Sequence, residues 1–173
     1  MEPSTMVNWE QKMEQEWGRA FVHESGHALM AVLQGISCHG IYYQRTENGG
    51  KFCTLIPPKP PSERTKEDYL FLAAGAAAEN LVYGDNDEDA AGADKRDFDQ
   101  PNSPAFEECL KEASTILYSE RRHLKRLRSM LKATVRKVDY DLGRLTELGM
   151  DGSDQRYLVL LSKEELGTSF DRP

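Results

Sequence analysis

His23, Glu24 and His27 stand in the run His23-Glu24-Ser25-Gly26-His27, an H-E-x-x-H pattern. On a helix, residues four apart lie one turn apart on the same face, so both imidazoles reach one metal ion. Glu24, beside the first imidazole, is placed to take a proton from water on that metal. Zinc suits two imidazoles and lowers the pKa of its bound water to about 7. The carboxylate then hands the proton to a leaving amine. The chemistry this set supports is peptide-bond hydrolysis. The bare pattern also arises by chance on surface and core helices, so its surroundings decide.

Two imidazoles and a water leave one protein ligand to find. His39 follows the first helix too closely to fold back onto the same metal. His123 lies in a basic helix, where a solvated role is expected. Carboxylates are richer candidates: Glu79 in an Ala-rich segment, and Asp94, Asp97 and Asp99 beyond Gly92-Ala93. A carboxylate oxygen with two imidazoles is an ordinary catalytic zinc set.

The elements that must position these groups are legible from spacing. From about Glu14 to Gln34, Trp17, Ala20, Phe21, Ala28, Ala31 and Val32 recur at helical intervals, and Gly35 is a natural stop. Gly40–Arg45 and Lys51–Ile56 read as two strands joined by Thr46-Glu47-Asn48-Gly49-Gly50, a hairpin signal. Pro57-Pro58-Lys59-Pro60-Pro61 is a stiff connector that cannot continue a strand. A second helix is predicted from Ser62 or Thr65 to Tyr83, with Thr65 and Asp68 as its capping pair and Gly84 as its end. Asp85 to Asp89 reads as a solvated acidic loop, followed by a helical turn opening at Asp94 and broken by Pro101 and Pro104. The longest helix is predicted from Ala105 to about Val138 on the stripe Leu110, Ala113, Leu117, Leu124, Leu127 and Leu131. Gly143 to Ser153 reads as irregular, Tyr157–Leu161 as a strand and Lys163–Leu166 as a helical turn. The fold class is mainly α (α+β), with a small hairpin or sheet beside the metal-binding helix. Residues 1–13 read as a tail and residues 14–173 as one domain.

Composition narrows the function. The 173 residues are 39% hydrophobic and 29% charged, with a formal charge of -7, which argues against a nucleic-acid or anionic-membrane surface. The basic run from Arg121 to Lys137 is expected to be the solvated face of a helix. No window approaches the ~20 apolar residues of a membrane span. Cys38, Cys53 and Cys109 are too few and scattered for a disulfide framework, so a reducing, cytoplasmic setting is expected.

The order of motifs resembles the peptidase domain of the FtsH family of zinc proteases, over roughly residues 16–135. The H-E-A-G-H helix of that family is matched by His23-Glu24-Ser25-Gly26-His27-Ala28-Leu29. Cys38-His39-Gly40-Ile41 stands where the family often has V-H-K-V. Ala74-Gly75-Ala76-Ala77-Ala78-Glu79-Asn80-Leu81-Val82-Tyr83-Gly84 matches its G-G-R-x-A-E-E-L-x-x-G helix, and Gly92-Ala93-Asp94 its G-A-x-x-D segment. Phe106 to Leu131 resembles the late helix. The resemblance implies a zinc ion held by His23, His27 and an aspartate. Family spacing places that aspartate at Lys95, between Asp94 and Asp97. Asp94 is preferred as the third ligand, with Asp97 as the alternate, because a helix opening at Asp94 turns Phe98 inward and its N–H groups favour an ionised carboxylate. Substrate-binding residues are not assigned.

The chain departs from that family in lacking any G-x-x-x-x-G-K-[ST] phosphate loop or apolar anchor. The leading expectation is thus an ATP-independent zinc endopeptidase acting on flexible peptides or unfolded chains, without nucleic acid or a membrane span. An extended substrate is expected to add to the edge of the Gly40–Ile56 hairpin. The competing expectation is a protein-binding domain that keeps the peptidase fold with a structural or vestigial metal site. An intact Glu24 argues against that, since a structural site has no use for the carboxylate.

Overall fold

The computed structural model describes residues 3–46, 49–147 and 157–170. Over these residues the chain is mainly helical with a small antiparallel sheet, as the patterning implies. The elements are α1 (Pro3–Leu33), β1 (Gly40–Thr46), β2 (Gly49–Leu55), α2 (Lys66–Tyr83), α3 (Glu88–Arg96), α4 (Phe106–Ser119), α5 (Arg121–Glu147), β3 (Tyr157–Ser162) and α6 (Lys163–Phe170).

Helix α1 carries the H-E-x-x-H residues in its C-terminal half. It starts earlier than its apolar spacing implies, and residues 3–13, expected as a tail, belong to it. Pro3 suits a first helical turn, where its missing N–H has no helical acceptor to lose, and neither Gly nor Pro interrupts residues 4–17. The helix ends where Gly35 predicts. Gly35 has φ 70°, and the Gly35 N–H reaches Val32 O while the Ile36 N–H reaches Ala31 O at 2.8 Å. That 6→1 and 5→2 pair satisfies the last carbonyls.

The hairpin forms where the alternation places it, with Tyr43 opposite Phe52 and Thr46 opposite Gly49. Its expected turn residues Glu47 and Asn48 lie outside the described residues. The sheet order is β2-β1-β3. Strand β3 takes the far side of β1, with Gly40 opposite Ser162. Gly40 has φ 128°, and a Cβ there would overlap the Leu161 carbonyl oxygen. Strand β2 is therefore the edge on the α1 side. Its Phe52 ring packs edge-on against Trp17 and Phe21 of α1, at centroid distances of 5.9 and 5.2 Å.

Helix α2 starts at the predicted capping pair, where the Thr65 N–H donates to Asp68 Oδ2 at 2.7 Å. Lys59 Nζ reaches the same oxygen at 2.8 Å, tying the proline-rich connector to the helix start. Gly84 ends the helix at φ 81°. Small residues let α1 and α2 approach closely. A Cβ on Gly26 would stand 2.5 Å from Ala74 O and 2.6 Å from the Ala78 Cβ. Around this crossing the core gathers Phe21, Leu29 and Met30 with Ile41, Leu117, Leu127, Leu131, Leu161 and Leu166, all nearly or fully buried.

Further expectations are corrected. The helix predicted as continuous from Ala105 to Val138 is two helices, α4 and α5, meeting at Glu120 (φ -108°, ψ 20°). The Glu120 carbonyl accepts from the His123 N–H at 2.9 Å, and its carboxylate lies 2.7 Å from His123 Nδ1. Glu120 thereby opens α5 even as α4 ends. Helix α5 then extends through Glu147, so residues 143–147, read as irregular, are helical. The other correction concerns α3. It opens at Glu88 within the expected acidic loop, with the Ala91 N–H on Asp87 O at 2.8 Å. Asp is a favoured residue before a helix, and Ala90, Ala91 and Ala93 carry the helix on by propensity. Asp94 therefore lies in the last turn of α3, not at its start. Among the described residues, no helix is long and apolar enough to cross a membrane.

Candidate metal centre

His23 and His27 sit on the face of α1 that crosses α2, and both are buried. Asp94 comes from the C-terminal turn of α3. His23 Nε2 and His27 Nε2 are 3.0 Å apart. Asp94 Oδ2 lies 3.1 Å from the first and 3.2 Å from the second. Tetrahedral zinc with bonds near 2.1 Å holds its ligand atoms about 3.4 Å apart, so this triangle needs only a few tenths of an ångström of adjustment. Two imidazole nitrogens and a carboxylate oxygen this close need a positive charge among them, which a proton on His23 or a metal ion would supply.

The opposite ring nitrogens are fixed. His27 Nδ1 is 2.7 Å from Phe71 O. A carbonyl can only accept, so Nδ1 donates to it and Nε2 is the nitrogen turned to the triangle. His23 Nδ1 donates to Glu79 Oε2 at 3.2 Å, and Glu79 is 1% exposed. Beneath both rings lies Gly75. A Cβ there would stand 2.5 Å from His23 Nε2 and 2.6 Å from His27 Nε2. Only a residue without a side chain leaves the two imidazoles room on α2.

Electrostatics follow from this packing. Burial alone would lower the His23 pKa, but hydrogen bonds to Asp94 and Glu79 outweigh it and push the ring up to about 10. Burial alone would raise the Asp94 pKa, yet the His27 and His23 rings hold its carboxyl well below the usual range. The helix dipole is no help here: the last turn of α3 carries the negative end. The imidazoles, not backbone N–H groups, keep Asp94 ionised, which corrects the reason given for it above.

Glu24 lies on the same helix, 8% exposed, and its Oε2 accepts from Thr54 Oγ1 of β2 at 2.6 Å. Glu24 opens onto a cleft of about 640 Å³, which His23, His27 and Asp94 also line. Trp17, Phe52 and Phe71 contribute apolar wall, and the edge strand contributes Cys53 and Thr54. Arg19, one turn before His23, stands on the rim. Its guanidinium pairs with Asp85 at 2.6 Å and lies over the Tyr83 ring at 4.6 Å.

The other candidates fall elsewhere. Asp97 pairs with Arg64 at 3.1 Å, Asp99 is exposed and His39 is exposed. His123 joins Glu120 at the α4–α5 junction. Glu79 sits behind His23 rather than at the triangle. Sequence reasoning missed the Phe71 carbonyl, Gly75 and Thr54. Gly75 alone carried a signal, as a small residue among alanines that was read for helix packing only. No protein-family model and no curated protein matches this chain.

Proposed function

We propose that the chain is a zinc-dependent endopeptidase that works without ATP, with His23, His27 and Asp94 as metal ligands and Glu24 as general base. The observation that carries the reading is the triangle of two buried Nε2 atoms and one partly buried carboxylate oxygen, opening on a cleft beside a glutamate. His₂Asp is a catalytic donor set, leaving a position for water or substrate. When bound, zinc would acidify a water and polarise the scissile carbonyl. Glu24 accepts the proton, holds it beside the cleft and returns it to the leaving nitrogen. Glu79 and the Phe71 carbonyl hold the imidazoles by their outer nitrogens. Strand β2 is an outer strand of the sheet formed by the described residues and lies next to the cleft, so an extended peptide can add to it by main-chain hydrogen bonds and present its carbonyl to the site. Flexible peptides and unfolded chains are the substrates that such an edge accepts.

The test pairs metal analysis with cleavage of an unfolded substrate such as casein. Wild type should hold about one zinc per chain, and His23→Ala should lose it. Glu24→Gln should keep the zinc and lose cleavage by at least about a hundredfold. Zinc held by a wild type that cleaves nothing would instead leave a binding domain with a structural metal.

A further inference from the structure

We infer that Thr54, on the edge strand, is the positioning residue for the general base, fixing the Glu24 carboxylate toward the cleft by a hydrogen bond to one of its two oxygens. The inference rests on Glu24 serving as the base, as proposed above. A threonine hydroxyl has a single proton and two oxygens within reach: Glu24 Oε2 at 2.6 Å and the Glu24 carbonyl at 3.2 Å. The shorter contact is to the ionised group, where a donated hydrogen bond is strongest. A glutamate has three side-chain torsions, and among the described residues no other hydrogen bond holds their end. Held at Oε2, the carboxylate leaves its other oxygen to take and release a proton.

Thr54 is itself firmly placed. Its backbone pairs with Ile41 in the centre of the sheet. Phe52, two residues earlier and so on the same face of the strand, is clamped between Trp17 and Phe21. The register that buries Phe52 therefore also delivers the Thr54 hydroxyl to Glu24. A one-residue slip would turn Cys53 to the helix instead. Because β2 is an outer strand of the described sheet, the strand that would receive substrate is the one that orients the base.

The experiment compares Thr54→Val, which keeps the shape and removes the hydroxyl, with Thr54→Ser, which keeps the hydroxyl. Zinc content and thermal midpoint are measured for both. Thr54→Val should lower kcat about tenfold or more with KM changed less than about twofold. Thr54→Ser should recover most of that loss. In a Glu24→Gln background, Thr54→Val should bring no further loss, since the two act as one unit. A readout independent of turnover is the crystal structure of zinc-loaded Thr54→Val, in which the Glu24 carboxylate should leave its wild-type position. Should valine destabilise the strand, Thr54→Ala gives the same comparison. A Thr54→Val protein with wild-type kcat, or with Glu24 unmoved, overturns the inference. If Glu24→Gln proves as active as wild type, the base assignment falls, and the crystallographic arm alone then shows whether Thr54 places that side chain.

Discussion

At the scale of single residues, the triangle makes Asp94 and Asp97 separable although they are three positions apart. Asp94→Ala should lower zinc affinity at least about a hundredfold and abolish cleavage, because a ligand is lost outright. Asp97→Ala removes only a half-exposed pair with Arg64 and should leave zinc content unchanged; a zinc titration with a competing chelator decides between them. Ser25 makes a different prediction. Its hydroxyl is fully buried and hydrogen-bonds to nothing among the described residues. An unmet buried polar group costs about 1–3 kcal/mol, and alanine is the better helix former. Ser25→Ala should therefore stabilise the protein by about 1 kcal/mol in urea denaturation, with zinc binding retained. A loss of stability would reveal a partner for that hydroxyl.

At the scale of elements, the site depends on how closely α1 crosses α2. Gly75→Ala should leave helix content intact by circular dichroism yet cut zinc affinity at least about tenfold, since the added methyl falls on both imidazoles. Gly92, in α3, has nothing within 4 Å of a built Cβ. Gly92→Ala should add about 0.5–1 kcal/mol of stability through helix propensity and leave zinc affinity unchanged. The contrast also marks what sequence could reveal. The hairpin, the Thr65–Asp68 start of α2 and the Gly35 and Gly84 stops were legible because each is local: a turn, a cap or a left-handed residue within six positions. Helix α3 was hidden because Glu88 and Asp89 look like loop charge, and Ala90-Ala91-Gly92-Ala93 carries no apolar period. The α4–α5 break was hidden because the leucine stripe runs through Glu120 without interruption. His23, Glu24, His27 and Asp94 could be named from spacing and resemblance. Their supports, Phe71, Gly75 and Thr54, could not, since each meets the site only through contacts some thirty or more positions away in the chain.

At the scale of the whole molecule, the site residues from α1, β2, α2 and α3 lie between Trp17 and Asp94, with α4, α5 and β3 as the frame behind them. No phosphate-binding loop occurs in the 173 residues, so cleavage by the purified chain should proceed at the same rate with and without magnesium ATP. A reproducible acceleration by ATP hydrolysis would contradict the proposed reading. The sheet order carries a consequence for how the protein is made. Strand β1 waits for β3, whose pairing of Gly40 with Ser162 joins positions about 120 residues apart, a long-range contact that closes late and slowly. On the ribosome, the metal-binding helix and its hairpin emerge long before that partner. Until residues 157–162 have been made, β1 lacks the partner on that side, so the nascent chain passes through a stage open to strand-mediated association with its neighbours.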